Sequence, residues 1–165
     1  MRRLWGVLVV LLVLAGCTTE RVGGDPDRTE APTGPLDLEI PIELARVSPA
    51  AAGKSTDART LPEPDGNKLA VDEPFLTITR LEHAKTQVEH NTGNWSLLIT
   101  MTEEDGAVLS RWTAEHIGAR VAMIADGVIV SAPMVQSPIP GREVTITARY
   151  TRDEAEALLN RITGR

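Results

Sequence analysis

Two stretches of the chain alternate between apolar and polar residues, which is the pattern of a strand with one buried face. The first covers residues 38–45 and includes Pro41, which has no backbone N–H and therefore predicts either an edge strand or a strand with a break. The second covers residues 144–150. Residues 48–72 show no such pattern. They are rich in Ala, Gly, Pro, Asp and Lys and are predicted to form one long loop.

Turn-forming residues lie between two further pairs of predicted strands. The sequence Asn-Thr-Gly-Asn at residues 91–94 separates strands predicted at residues 86–89 and 95–101. Within residues 121–132, an Asp-Gly pair separates two apolar runs and predicts a two-residue hairpin. Pro133 follows this hairpin and cannot donate to a sheet, so a central strand should end before it.

Two helices are predicted from their capping residues and their apolar stripes. Residues 102–105 consist of a capping Thr and three acids, and they predict a helix over residues 103–117 that Gly118 terminates. Residues 151–154 form a capping box for a last helix, which Gly164 ends. The stripes consist of Val108, Leu109, Trp112 and His116 in the first helix and of Ala155, Leu158, Leu159 and Ile162 in the second.

The predicted order from residue 95 onward is β-α-β-β-β-α, which indicates an α+β fold: a mostly antiparallel sheet with two helices packed on one face. The predicted domain covers residues 36–165. A chain of 165 residues is long enough for one domain with a modest core, and its 42% of hydrophobic residues argues against wholesale disorder. A net charge of −6 argues against a nucleic-acid partner, because such proteins carry a basic face.

Residues 1–16 have the pattern of a secretory signal peptide: two arginines, then an apolar run shorter than the ~20 residues that a transmembrane helix needs. The residues at its end resemble the bacterial lipobox, and they are Leu14, Ala15, Gly16 and Cys17. Cys17 is the only cysteine of the chain. The resemblance implies cleavage before Cys17 and attachment of a diacylglyceryl group to its thiol. The alternatives are an uncleaved anchor, or a plain signal peptide followed by a chance cysteine.

Residues 17–35 are predicted to be a flexible tether, because they contain many glycines and prolines and almost no apolar side chains. A coil of this length spans roughly 25 Å. Removal of residues 1–16 takes away two arginines and changes the net charge from −6 to −8. Since anionic lipids repel such a body, the lipid on Cys17 is predicted to be the membrane partner. The predicted location is the extracytoplasmic face of the plasma membrane, with the outer membrane as the alternative.

Several motifs resemble the head subdomain of the first periplasmic domain of SecD, a subunit of the SecDF complex that assists the bacterial protein-export translocase. Residues 120–133 resemble its hairpin with Asp-Gly and a following Ala-Pro, and residues 138–141 resemble its Pro-Ile-x-Gly loop. Residues 150–155 resemble its Phe-Thr-x-x-Glu-Ala motif, with Tyr in the first position. The similarity is dense over residues 95–162 and loose before them.

The sequence departs from the SecD pattern at two places. Arg142 stands where the family has a second glycine, and residues 148–150 (Ala-Arg-Tyr) replace a Gly-x-Phe. SecD itself spans the membrane several times, whereas no spanning helix is predicted here besides the signal. The resemblance therefore implies the fold and a binding role, with secreted or unfolded polypeptide or the Sec translocase as partner. It does not imply the proton-coupled movement associated with SecD.

The stiff, proline-rich loop over residues 133–142 is the predicted partner-binding segment, because it can present apolar side chains at low entropic cost. An exposed strand edge that adds an extended peptide by backbone pairing is a second way to bind the same partner. The alternative is a plain connection with its apolar residues buried. The candidate residues of the loop are Pro133, Met134, Val135, Pro138, Ile139 and Gly141.

No catalytic, metal or cofactor site is predicted. His83, His90 and His116 lack the spacing of metal ligands, and the serines lack a Gly-x-Ser-x-Gly setting. The carboxylate pairs lie in the first turns of helices, where the helix dipole explains them. The protein is therefore predicted not to be an enzyme. Two other functions stay open: a passive structural lipoprotein of the envelope, and an envelope hydrolase.

Overall fold

The structure is a computed structural model that describes residues 35–48, 59–63 and 65–165. These residues form a sheet of seven strands and two helices. The strands are β1 (Leu36–Val47), β2 (Arg59–Pro62), β3 (Lys68–Val88), β4 (Trp95–Met101), β5 (Val121–Ala125), β6 (Val128–Ser131) and β7 (Glu143–Tyr150), and the helices are α1 (Glu103–Glu115) and α2 (Arg152–Thr163).

The strand order along the sheet is β6-β5-β1-β3-β4-β7, and β2 pairs with β3 beside this path. All of these pairs are antiparallel. The order from β4 to α2 is the predicted β-α-β-β-β-α. The predicted α+β fold is therefore confirmed.

The first strand, β1, lies inside the sheet between β3 and β5, so the prediction of an edge strand is wrong. The alternative of a strand with a break is confirmed, because the register of β1 against β3 shifts between Asp37 and Ile42. Pairing of β1 with β5 starts only at Ile42. Pro41, which has no N–H to donate, thus precedes the part of β1 that has a partner strand on both sides.

The prediction of one loop over residues 48–72 is wrong at two places, because Arg59–Pro62 forms β2 and Lys68 begins β3. The strand predicted at residues 86–89 is only the end of β3, which has 21 residues. An irregular register hid the rest of this strand from the sequence pattern. Leu44 and Ala45 are neighbours in β1, yet they pair with Leu76 and Pro74 of β3.

The irregularity leaves Phe75 as a bulged residue of β3, and a bulge changes the direction in which a side chain points. The Phe75 ring stacks on the Trp112 ring of α1, with 4.1 Å between centroids and 4° between planes. The His116 imidazole also stacks on the Trp112 ring, at the same centroid distance. The three rings therefore attach the end of α1 to β3.

Helix α1 begins as predicted and ends earlier. The Asp105 N–H donates to Thr102 Oγ1 at 3.2 Å, which is the predicted N-cap. The last helical residue is Glu115, because His116 leaves the helical region at φ −127°. Gly118 has φ +85° and lies in the turn that follows, rather than directly after the helix.

Helix α2 has the predicted capping box, in which the Thr151 and Glu154 side chains each bond to the other residue's backbone. Gly164 ends the helix in the left-handed region at φ +72°. The buried face is the predicted stripe of Ala155, Leu158, Leu159 and Ile162.

The hairpin between β5 and β6 turns at Asp126 and Gly127, whose φ values of +53° and +71° are those of the predicted type I′ turn. Both faces of the adjoining β5 are covered, which explains its continuous apolar run. One set of side chains, which includes Met123, packs in the main core with α1 and α2, and the other set, which includes Ile124, packs in a smaller cluster with Val71 of β3.

Candidate functional site

The loop over residues 133–142, which we call the 133–142 loop, joins β6 to β7. The strand β6 ends at Ser131, before Pro133, as predicted. The first part of the loop still runs beside the segment that leads into β5. The Val121 N–H donates to Pro133 O at 2.9 Å, and the Val135 N–H donates to Ala119 O at 2.8 Å. These bonds fix the loop on the body of the domain.

A largely apolar pocket of about 290 Å³ lies between this loop and α1. Its walls include Leu44 of β1, Leu109 of α1 and Met123 of β5, and the loop contributes Met134, Val135 and Ile139. None of the described residues that line it is charged. The Met134 side is open to solvent, with 58% of the residue exposed, whereas Val135 is buried. We call this cavity the apolar pocket.

The structure brings four of the six predicted loop residues to the apolar pocket: Pro133, Met134, Val135 and Ile139. Pro138 and Gly141 are exposed and do not line it. Gly141 has φ +94°, a conformation that favours glycine, and therefore serves the turn of the loop rather than its surface. Val135 belongs to the core, so Met134 is the large apolar side chain that the described loop exposes to solvent.

Thr113 of α1 was not predicted as a site residue. Its side chain connects the helix to the 133–142 loop by a hydrogen bond. Its hydroxyl is fully buried and donates to Leu109 O at 2.9 Å. Thr113 Oγ1 also accepts a hydrogen bond, from the Ile139 N–H at 3.0 Å. Both hydrogen-bonding capacities of a buried group are thus used. The sequence alone does not show whether a threonine inside an amphipathic helix bonds only within its own helix or also to another segment.

The far end of the loop packs on the start of α1. Arg142 O accepts the Met101 N–H at 2.8 Å, which fixes the end of the loop beside the end of β4, just before the helix begins. Gly106 faces this end of the loop, and a Cβ atom built on Gly106 lies only 2.7 Å from the Arg142 Cβ. The helix therefore has a glycine where the loop approaches most closely.

A second exposed apolar side chain lies near Met134. Ile117 is 59% exposed and follows the C-terminal end of α1. The next residue, Gly118, donates its N–H to Val135 O at 2.7 Å. This bond joins the turn that carries Ile117 to the loop that carries Met134, so two exposed apolar side chains lie on segments that are bonded to each other beside the apolar pocket.

The three histidines lie on different elements. His83 is in β3, opposite Thr100, His90 is in the turn between β3 and β4, and His116 stacks on Trp112. Among the described residues there is no group of three or more His, Cys, Asp or Glu that could hold a metal ion. The absence of a cofactor and of an enzymatic activity stays a prediction.

Two neighbouring groups at the start of α2 have pKa values that their surroundings shift. Burial raises the pKa of the Tyr150 phenol, the Glu154 carboxylate raises it further, and Arg161 acts in the opposite direction. The pKa of Glu154 is lowered, because the Thr151 N–H and hydroxyl donate to its Oε2 at 2.8 Å and 2.9 Å. The Tyr150 hydroxyl donates to Val130 O at 2.8 Å.

The predicted signal peptide, the lipobox residues Leu14, Ala15 and Gly16, and the lipidated Cys17 lie outside the described residues. The same holds for the predicted tether except for Pro35. Over residues 35–48, 59–63 and 65–165, no helix combines the length and the apolar character that a membrane crossing requires.

The fold and the pocket define a class of protein: an α+β domain in which an antiparallel sheet carries two helices and a surface pocket of apolar side chains. The family model of the SecDF P1 head subdomain matches residues 55–164, which is about two thirds of the chain. The chain belongs to this family. The resemblance seen in the sequence is thereby confirmed for the domain.

Curated relatives agree with this assignment. The protein translocase subunit SecD of Aquifex aeolicus is 30% identical over 129 residues, which cover 76% of this chain and 25% of that protein. The protein translocase subunit SecD of Dictyoglomus turgidum is 30% identical over 84 residues, which cover 51% of this chain and 21% of that protein. The chain thus spans about a quarter of the length of these relatives.

Two solved structures have the same fold. One belongs to a study of SecDF as a membrane component that enhances protein export. It has a TM-score of 0.57 and 21% identity, and the match covers 76% of this chain and 63% of that one. The other is SecDF in its super-membrane-facing form, with a TM-score of 0.56 and 19% identity over 78% of this chain and 23% of that one.

Proposed function

We propose that this protein is a lipid-anchored, extracytoplasmic member of the SecDF P1 head family whose domain contacts secreted or unfolded polypeptide. The observation that carries the proposal is the apolar pocket, because its uncharged lining and the exposed Met134 suit an apolar side chain. The relatives are named as subunits of the protein translocase, which supports an export context. The proposal concerns contact with polypeptide and not its movement across a membrane.

The size of the apolar pocket favours a side chain over a larger ligand. About 290 Å³ lies at the lower limit of the range for small-molecule pockets. An unfolded polypeptide exposes Leu, Ile, Phe and Met, and burial of one such side chain contributes about 1.5–3 kcal/mol. A gain of this size from one pocket gives weak, transient binding. Met134 suits such a role because its flexible thioether adapts to side chains of different shape.

The predicted tether and the apolar pocket meet β1 at different points. The tether joins the domain at Leu36, and Leu44 lines the pocket eight residues further along the same strand. At about 3.3 Å per residue, this separation is about 26 Å. A lipid on Cys17 therefore leaves the pocket accessible from the extracytoplasmic space. The net charge of −8 that follows removal of the signal peptide keeps the domain away from anionic lipid.

Photo-crosslinking in cells tests the proposal. A benzophenone amino acid at position 134 should trap secreted polypeptides or translocase subunits, and Val88 is the matched control because it is also an exposed apolar residue, at the far end of β3. Cys17→Ala, which cannot take the lipid, should lower the yield at position 134. Equal yields at positions 134 and 88 would contradict a role for the pocket. No crosslinks at either position would favour a passive structural lipoprotein.

A further inference from the structure

The two ends of the sheet come together at a seam that has no backbone hydrogen bonds. Among the described residues, β6 pairs with β5 and β7 pairs with β4, and no backbone bond joins β6 to β7. Two side chains join them instead. The Tyr150 hydroxyl donates to Val130 O at 2.8 Å, and Ser131 Oγ donates to Thr147 O at 2.9 Å. We call this contact the β6–β7 seam.

Open clefts adjoin the β6–β7 seam. The larger cleft, of about 680 Å³, is lined by both strands, including residues 130–132 and 147–150. The smaller cleft, of about 340 Å³, lies between the seam and α2 and shares Val130 and Tyr150 with the first. Open space adjoins the seam, but Val130 of β6 and Ile146 of β7 belong to the main core. A strand added between β6 and β7 therefore has to cover these side chains, which favours a segment with apolar residues on one face.

Separation of the strands makes the backbone N–H and C=O groups along the facing edges of β6 and β7 accessible to a ligand. Another extended polypeptide backbone matches such an edge. The charges at the larger cleft favour a particular kind of segment. Among the described residues, Glu63, Asp65 and Glu154 line this cleft together with the guanidinium of one arginine, Arg149. Arg120 lies 3.6 Å from Glu63 and partly neutralises it. The remaining acidic excess favours a segment with basic side chains.

We propose that the β6–β7 seam opens to bind an extended, lysine- or arginine-containing polypeptide segment as an additional strand. This inference rests on the proposed function, since it describes a second contact with the same kind of partner, away from the apolar pocket. The Tyr150 and Ser131 side chains act as the closure of the seam in the free protein. They satisfy the Val130 and Thr147 carbonyls until a strand replaces them.

The test uses the full chain with Cys17→Ala, so that two engineered cysteines are the only thiols. Ser131→Cys with Thr147→Cys places a disulfide across the seam. The probe is a fluorescent ten-residue peptide of alternating Thr and Val with a Lys at each end. A second peptide carries N-methyl groups at alternate residues, which remove backbone donors, and a third has Glu in place of Lys.

The oxidised double-cysteine protein should bind the probe at least tenfold more weakly than the reduced protein. The N-methylated peptide should bind at least tenfold more weakly than its parent, and the Glu peptide at least threefold more weakly. Tyr150→Phe combined with Ser131→Ala removes both closing hydrogen bonds and should tighten binding severalfold. Circular dichroism checks that each variant is folded. If the disulfide does not form, the affinity of the Tyr150→Phe, Ser131→Ala variant for the probe decides between the outcomes: unchanged binding would contradict the inference.

Equal binding before and after oxidation, or equal binding of the parent and N-methylated peptides, would overturn the inference. Met134→Ser separates this result from the proposed function. If Met134→Ser abolishes binding and the disulfide does not, the probe binds at the apolar pocket and the inference about the seam is wrong. If the disulfide abolishes binding and Met134→Ser does not, the probe binds at the seam and the role proposed for the pocket is wrong.

Discussion

Replacement of Gly106 by alanine tests how closely the 133–142 loop packs on α1. An alanine Cβ at this position would lie 2.7 Å from the Arg142 Cβ, 3.1 Å from the Arg142 Cα and 3.2 Å from Gly141 O. Two of these three neighbours are backbone atoms, and the third is fixed to the backbone. Rotation of a side chain therefore relieves none of the contacts, and the loop backbone itself has to move.

Two opposing effects determine the change in the free energy of unfolding. Alanine is the better helix former by about 0.8–1.0 kcal/mol. Overpacking of a tight site costs about 1–3 kcal/mol, and contact with backbone atoms points to the upper half of that range. Gly106→Ala should therefore lower the free energy of unfolding by about 1–2 kcal/mol.

Urea denaturation followed by far-ultraviolet circular dichroism measures this change. Ala107→Gly is the matched control, because Ala107 is exposed in the same turn of α1 and its replacement lowers the free energy of unfolding by helix propensity alone, about 1 kcal/mol. If Gly106→Ala stabilises the protein by about as much as Ala107→Gly destabilises it, propensity is the only effect at work. The packing of the loop on α1 would then be refuted.

Substitutions at three further positions test other contacts in urea titrations. Thr113→Val leaves the partly buried Ile139 N–H without its Thr113 acceptor and should lower the free energy of unfolding by about 1–3 kcal/mol. Thr113→Ser keeps the hydroxyl and should lose less, whereas equal losses would indicate packing alone. The lowered pKa of Glu154 means that its carboxylate stabilises the fold above its usual pKa of about 4.3 and that this contribution is lost as the pH falls through the lowered value. The stability difference between the wild type and Glu154→Gln should thus shrink below pH 4, and a constant difference contradicts the argument. Gly127→Ala forces a Cβ into the left-handed region and should cost about 1–2 kcal/mol, so an unchanged midpoint would count against the type I′ turn.

Local signals in the sequence were sufficient for the C-terminal half of the fold. The capping box at Thr151 and Glu154, the buried stripe of α2 and the turn at Asp126 and Gly127 each depend on residues close together in the chain. Such interactions are visible in a single sequence, because helix period, capping and turn chemistry act over a few residues. The same signals carried the resemblance to the SecD head.

The first half of the fold depends on pairing between distant residues, which sequence patterns do not show. The bulge at Phe75 breaks the alternation of β3, so acidic and proline residues beside it resemble a loop. Pro41 indicated a break but not the position of β1 inside the sheet. The 133–142 loop was found from its prolines, whereas the apolar pocket beneath it needs side chains from β1, α1 and β5.

The length of β3 has a consequence for how the domain responds to mechanical load. At Val71 the strand pairs with Val47 on one side and with Arg59 on the other, and at Leu81 it pairs with Leu36 and Met101. One continuous strand is therefore shared by β1, β2 and β4, so loss of β3 from the sheet disrupts the pairing of all three. We expect the amide protons of β3 to exchange with solvent only through global unfolding. Mechanical load applied to β3 should therefore meet a single cooperative unfolding threshold rather than a series of partial openings.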